Sequence, residues 1–208
     1  MANRNHYYDR NPTVAHDRRV IEETIRGVTL SLVTDAGVFS KHGVDYGSRL
    51  LIRNLRLDGH ERMLDVGCGY GPIGLFAAKL NPSMHVTMID INERAVELAR
   101  ENAERNRIAN VTVLQSDGFE ELRKSGKEGP FSLIATNPPI RAGKQTVHRL
   151  FEESLDWLTE GGELWIVIRK QQGAPSALAK LQQLFALVEE ADKDKGYRVY
   201  RAVKSSTP

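Results

Sequence analysis

The chain has 208 residues, enough for one substantial apolar core, and its 40% hydrophobic and 27% charged composition is that of a globular protein rather than a disordered or fibrous one. A formal net charge of +2 permits an anionic partner but excludes a protein that coats nucleic acid indiscriminately, so any basic patch must be local. The single cysteine, Cys68, excludes an internal disulfide and a cysteine-based zinc cluster, and no apolar run reaches membrane-spanning length. A polar start without a signal-like segment fits a cytoplasmic location; neither a membrane nor a metal is expected, and the oligomeric state stays open.

Residues 1 to about 20 mix His6, Tyr7, Tyr8, Arg10, His16, Arg18 and Arg19 without a helical or strand period and read as an irregular arm. Thr24 to Val33 alternates β-branched and polar residues around Gly27, and an Asp35-Ala36-Gly37 turn leads into Val38-Phe39, which predicts an antiparallel β-ribbon. Asp45 to Leu57 follows as a helix. Residues 1–58 are expected to form an arm, ribbon and helix packed on a compact unit spanning 59–208.

From Glu61 onward short apolar runs alternate with amphipathic stretches, the pattern of βαβ units, so a mostly parallel twisted sheet with helices on both faces is expected. Strands are predicted at Arg62–Val66, Val86–Ile89, Val111–Leu114, Phe131–Ala135, Glu163–Ile168 and Tyr197–Val203. Pro72 suits the first turn of one helix, and Asn92 caps another whose Ala95, Leu98, Ala99 and Ala103 share a face. A helix carrying Val147, Leu150, Phe151, Ser154 and Leu158 is predicted to stop at Gly161-Gly162. A last helix repeats apolar residues at Leu178, Leu181, Leu184, Phe185 and Val188.

The first of these strands ends in Asp65-Val66-Gly67-Cys68-Gly69-Tyr70-Gly71, a turn where missing side chains let a ligand approach the backbone. Gly69, Gly71 and Gly74 also satisfy a dinucleotide fingerprint, so an NAD-dependent oxidoreductase stays open. Asp65 tilts the choice, because a carboxylate there suits the ammonium and sulfonium of S-adenosylmethionine and repels a pyrophosphate. Asp90, ending the next strand, is placed to accept from both ribose hydroxyls, with Ile91 against the adenine. Asp117, followed by Gly118, is placed to accept from the adenine amino group. Cys68 has no activating base beside it and reads as a small filler.

Asn137-Pro138-Pro139-Ile140 ends the fourth strand beside the expected methyl donor, where Asn137 is placed to touch both cofactor and substrate. Two prolines fix φ and remove two donors, leaving a rigid turn rich in acceptors. An exocyclic amino group delocalises its lone pair into the base, so its N–H hydrogens must be held by acceptors before the nitrogen can attack. The Asn137 side-chain oxygen and the Pro138 carbonyl can supply both.

Asp65 to Gly71 together with Asn137 to Ile140 resembles the class I methyltransferases that modify amino groups of bases or glutamine. More narrowly, Gly37-Val38-Phe39-Ser40, Asp45-Tyr46-Gly47-Ser48, Asn137-Pro138-Pro139-Ile140-Arg141-Ala142-Gly143 and Tyr197-Arg198-Val199-Tyr200 resemble the small-subunit ribosomal RNA guanine-N2 methyltransferase family. The resemblance implies a Rossmann-like α/β fold, S-adenosylmethionine as cofactor, ribosomal RNA or the small ribosomal subunit as partner, and a 37–48 segment that helps close over the cofactor. This chain departs from related amino methyltransferases at Ile140, where many place an aromatic that stacks on the base. It also has only about 60 residues where better-known family members carry a further domain.

Arg141, Lys144 and Arg149 follow the Asn-Pro-Pro turn, with His148 beside them, and Arg169 and Lys170 follow the fifth strand, so a cluster that positions RNA phosphates is expected there. Tyr7 and Tyr8 with nearby arginines suit unpaired bases. A protein-glutamine methyltransferase and a non-catalytic RNA-binding module remain alternatives at this point.

Overall fold

The computed structural model describes residues 9–126 and 129–206. His6, Tyr7 and Tyr8 lie outside the described residues. The ribbon consists of β1 (Arg19–Ile25) and β2 (Val28–Thr34), paired antiparallel from Arg19↔Thr34 to Ile25↔Val28. Its turn residues Arg26 and Gly27 sit at φ 53° and 79°, the twist-matched geometry of a tight hairpin. The Arg26 guanidinium donates to the Leu55 carbonyl at 2.8 Å, just past helix α1 (Tyr46–Asn54), which helps offset the strain of a non-glycine residue there.

The remaining strands are β3 (Arg62–Val66), β4 (His85–Asp90), β5 (Val111–Gln115), β6 (Phe131–Thr136), β7 (Leu158–Arg169), β8 (Leu187–Asp194) and β9 (Tyr197–Val203). They form one sheet in the order β5-β4-β3-β6-β7-β9-β8, parallel from β5 to β7, with β9 antiparallel to both neighbours. The chain builds outward from β3 in one direction and then from β6 in the other, so a crevice opens between their carboxyl ends, where open α/β sheets bind ligands. Helices α1, α2 (Pro72–Leu80) and α3 (Glu93–Arg105) share one apolar cluster with the ribbon's Leu30 and Leu32, whereas α4 (Glu120–Ser125), α5 (Lys144–Trp157) and α6 (Ala174–Leu184) pack into a second cluster. This is the mostly parallel twisted sheet with helices on both faces that the strand and helix periods imply. No helix among the described residues is long and apolar enough to cross a membrane.

Four elements differ from the sequence reading. The ribbon begins at Arg19, turns at Arg26-Gly27 and ends at Thr34, so Val38 and Phe39 belong to no strand. Helix α4 was not anticipated, because a single buried apolar residue, Leu122, leaves no period to detect. Helix α5 ends at Trp157, and β7 begins at Leu158 and continues through Gly161 and Gly162, with a bulge opposite Phe131 and Leu133. The last helix stops at Leu184, Phe185 turns to an extended backbone, and Val188 lies in β8. The Glu-Glu-Ala-Asp-Lys-Asp stretch of β8 has little strand propensity of its own. Pairing with β9 supplies what propensity lacks, including an Arg201–Glu189 contact at 3.4 Å across the ladder.

The described part of the arm is irregular but anchored. Arg94 donates to the carbonyls of Val14 at 2.9 Å and Ala36 at 2.6 Å, the Glu93 amide donates to the Arg10 carbonyl, and buried Asp35 accepts from the Asp17 amide and from His16. Deeper still, fully buried Asn102 on α3 accepts from the Val33 amide at 2.7 Å and donates to the carbonyls of Val33 at 3.0 Å and Tyr70 at 2.9 Å. Replacing it with leucine leaves three backbone groups buried without partners. Asn102→Leu is therefore expected to cost about 3 kcal/mol of folding stability, seen as a lower urea midpoint; a loss under about 1 kcal/mol would show that ribbon and helix are held chiefly by apolar packing.

Candidate active site

A cavity of about 760 Å³ opens at the carboxyl ends of β3, β4, β5 and β6. The turn after β3 forms its floor. The Gly67 and Cys68 amides both donate to the Ile89 carbonyl at 2.9 Å, which draws the turn against the end of β4. Gly69 holds φ at 57°, and a Cβ placed on it would meet no atom within 4 Å, so the backbone there is open to a ligand. Gly71, at φ 105°, does not line the cavity; a side chain there would strike Leu75 and Met88 behind the turn.

Asp90 lies in the cavity wall, with one carboxylate oxygen accepting from the Gly69 amide at 2.8 Å and the other from the Asn92 amide at 2.9 Å. Each oxygen retains a second acceptor site, so the side chain is both fixed and able to receive a pair of hydroxyls. Burial pushes its pKa up, and the hydrogen bonds from the Asn92 and Gly69 amides oppose that shift. Ile91 sits beside it in the wall, and Asp117 and Gly118 face the same space from the end of β5.

The structure places Asp65 differently from the sequence reading. Its carboxylate is fully buried behind the glycine turn, outside the cavity wall, and one oxygen accepts from the Gly74 amide at 2.9 Å. The other oxygen has no hydrogen-bond partner among the described residues. Burial, reinforced by the charge of Asp90 and only partly opposed by the Gly74 amide, raises its pKa to about 7.

Asn137, Pro138, Pro139 and Ile140 all line the cavity. The hydroxyl of Thr136 donates to the Val66 carbonyl at 2.8 Å and ties the end of β6 to that of β3. The Asn137 amide nitrogen donates to Asp45 at 3.2 Å and to the Ser48 hydroxyl at 3.1 Å, which leaves the side-chain oxygen as the group available to a ligand. Asp45 is also the N-cap of α1, accepting from the Ser48 amide at 3.0 Å. The Pro138 carbonyl already accepts from the Ile140 amide at 2.9 Å, so only its second lone pair remains for a substrate.

The basic residues divide. Arg141, Arg149 and Arg169 line the cavity, whereas Lys144 and Lys170 are exposed outside its wall. Arg149 donates to Glu153 at 2.9 Å near Asp117, and Arg169 lies over the Tyr197 ring at 4.8 Å. The sequence reading missed Asp45 and Ser48 as supports of Asn137. Their spacing signals a helix cap, but nothing local reveals a partner some 90 residues away. It also left Phe39 and Tyr197 unassigned as cavity-lining aromatics. Among the described residues, no group of three His, Cys, Asp or Glu side chains is arranged to hold a metal ion.

Acceptors fixed at the ends of β4 and β5, an open glycine turn and a crevice at the strand-order reversal define an S-adenosylmethionine-dependent methyltransferase of class I. Comparison with known proteins agrees. Residues 29–201 match the family described as "Methyltransferase small domain", and the chain belongs to it. It is 49% identical over 200 residues to the Bacillus subtilis protein YbxB, itself uncharacterised, covering 96% of this chain and 98% of that one. It is 31% identical over 199 residues to the Ribosomal RNA small subunit methyltransferase C of Escherichia coli, covering 94% of this chain and 55% of the relative. Among solved structures, the Thermus thermophilus 16S rRNA N2 G1207 methyltransferase RsmC, in complex with AdoMet and guanosine, superposes with a TM-score of 0.76 at 25% identity, over 93% of this chain and 52% of that one. The chain thus spans about half the length of the ribosomal RNA methyltransferases it matches. Family membership also resolves the ambiguity of the glycine fingerprint in favour of S-adenosylmethionine over NAD.

Two outcomes follow from the site. A folded-state pKa above the ordinary 3.8 means that Asp65 weakens the folded chain progressively as pH rises from 3.8 to about 7, and by a constant amount above that. Asp65→Asn, which keeps the acceptor for Gly74 and cannot ionise, is expected to gain thermal stability relative to wild type across that pH interval; a melting difference that stays flat with pH would show that the carboxyl is not held neutral. Ser48→Ala removes one partner of the Asn137 amide while sparing the cap, so kcat for methyl transfer is expected to fall about tenfold with cofactor Kd unchanged. Equal losses in both would place Ser48 in cofactor binding instead.

Proposed function

We propose that this chain transfers a methyl group from S-adenosylmethionine to the exocyclic N2 amino group of guanine in small-subunit ribosomal RNA, acting in the cytoplasm. The observation that carries the proposal is the Asn137 amide, whose nitrogen is consumed by Asp45 and Ser48 so that its oxygen is the acceptor presented to a substrate. An amine donor needs acceptors, and the Pro138 carbonyl provides a second one nearby. The names of the ribosomal relatives and of the RsmC structure support the choice of base and RNA.

The residues present fit the cofactor. Gly67 and Gly69 expose backbone where a side chain would intrude, Asp90 would take the ribose hydroxyls, Ile91 would lie against the adenine, and Asp117 would accept from its amino group. Asp65 would act through the turn, as a buried carboxyl behind the methionine end. When bound, S-adenosylmethionine supplies a methyl group on a positively charged sulfur, already activated for transfer. Asn137 and Pro138 hold the two N–H hydrogens of the base, drawing the nitrogen toward a tetrahedral geometry with its lone pair aimed into the cavity. After transfer the nitrogen sheds one proton to water, and no carboxylate is required as base. Phe39, 42% exposed and lining the cavity, provides the flat apolar surface that Ile140 lacks, and the base must be unpaired or turned out of its stack to reach it.

The test is mass mapping of ribosomal RNA nucleosides after incubation of small subunits, or their naked RNA, with the protein and cofactor. N2-methylguanosine is expected, and Asn137→Ala is expected to lower the rate by about 100-fold or more with cofactor affinity retained. Methyl groups found on protein glutamine and not on RNA would overturn the reading.

A further inference from the structure

From the cavity wall outward, four side chains from three elements and one turn form a continuous row. Arg169, at the end of β7, lies over the Tyr197 ring at 4.8 Å; Tyr197, opening β9, meets the Tyr46 ring of α1 with centroids 5.7 Å apart; and Lys195, in the β8–β9 turn, lies over Tyr46 at 4.6 Å. Arg169 and Tyr197 line the cavity, so the row starts at the cavity wall and runs from it to the β8–β9 turn. The Tyr46 hydroxyl donates to Asp194, which occupies the nearest carboxylate. Gly47 makes the row possible, because a Cβ there would lie 2.7 Å from Tyr197.

We propose that this row holds the unpaired nucleotides flanking the target base. The proposal goes beyond the assignment of the methylated atom, and it rests on RNA being the substrate. The Arg169 guanidinium lies over the Tyr197 ring and is exposed, so its plane is open to receive a base. Lys195, exposed at the tip, meets a phosphate of the strand as it leaves the site. Two neighbouring rings with a cation at each end match a single strand, whose bases and phosphates recur together, and fit a duplex poorly because its base faces are hidden.

The experiment is a fluorescence-anisotropy titration of the full chain with a labelled unstructured oligoribonucleotide and with an RNA duplex, across about 50 to 200 mM salt. Wild type is expected to bind the single strand more tightly. Arg169→Ala and Lys195→Ala are each expected to weaken that binding several-fold, and the double variant by about tenfold or more, with the log–log salt slope reduced by about 0.7 per cation removed. Arg169→Lys is expected to keep the salt slope but not the affinity, because it retains charge without a stacking plane. Thermal melts confirm folding, and S-adenosylmethionine affinity is expected to stay at the wild-type value. A double variant that binds like wild type, an Arg169→Lys variant with full affinity, or equal binding of duplex and single strand would each overturn the proposal. Methylation of ribosomal guanine by wild type, alongside any of those results, would leave the function standing and remove only the row; a wild type that binds no single strand at all would overturn the row whatever its methylation target.

Discussion

An amide side chain can present either a carbonyl oxygen or an NH₂ group, and the chemistry available to this cavity turns on which one Asn137 shows. The two hydrogen bonds to Asp45 and Ser48 decide it. Rotating the amide by half a turn would face its oxygen toward the Asp45 carboxylate and place two donors against an incoming amine. Breaking one charge-assisted and one neutral hydrogen bond costs about 2 to 4 kcal/mol, enough to keep the rotated form to a few per cent at most. A substrate that offers N–H groups then meets acceptors on arrival, without reorganisation during the reaction.

That orientation depends on where α1 sits, and α1 is held by elements far from it in sequence. The segment before the helix is tied to α3, since Asn92 donates to the Gly37 carbonyl at 2.8 Å while capping α3 with its own oxygen. Arg94 gathers the arm and the Ala36 carbonyl onto the same helix end. Asn92 also donates its backbone amide to Asp90, so the residue that fixes the acidic end of the cavity also fixes the segment that roofs it. Two parts of the cavity wall, the end of β4 and the segment before α1, are thereby built on one framework of a few polar side chains.

The alternation of strands and helices was legible because each unit carries its own period: the apolar strand runs, the Asn92 cap and the Ala95 to Ala103 face are all local signals. The places where the reading failed are those where tertiary contacts overrode local preference. The acidic stretch of β8 becomes a strand only because β9 offers it a ladder, and Leu158 leaves its helix because β6 offers it a neighbour. At the site, the glycine turn, Asp90 and the Asn-Pro-Pro turn could be named from sequence because strand ends announce themselves. The burial of Asp65 outside the cavity wall was not legible, for a geometric reason. Alternate residues of a strand point to opposite faces, and one of its oxygens is spent on Gly74 behind the turn. The Asp45 and Ser48 supports were invisible because a cap and a long-range acceptor look identical in a string of letters.

The modest net charge conceals a separation that the fold creates. Asp90 and Asp117 stand at the β4–β5 end of the cavity, where Arg149 near Asp117 is paired with Glu153, and buried Asp65 lies behind the floor, whereas Arg141 and Arg169 follow β6 and end β7 on the other side of β3. Charges a Debye length apart, about 8 to 10 Å in physiological salt, are largely independent of one another in solvent, so the two ends can each favour a ligand of opposite sign. The acidic end suits a cofactor that carries two positive centres. The basic end suits a polyanion. A uniformly basic protein would draw phosphate toward the cofactor's place, and a uniformly acidic one would repel a polyanion. Burial marks the acidic end further: it raises the pKa of both Asp65 and Asp90, a cost of holding negative charge there that a cation bound nearby would relieve.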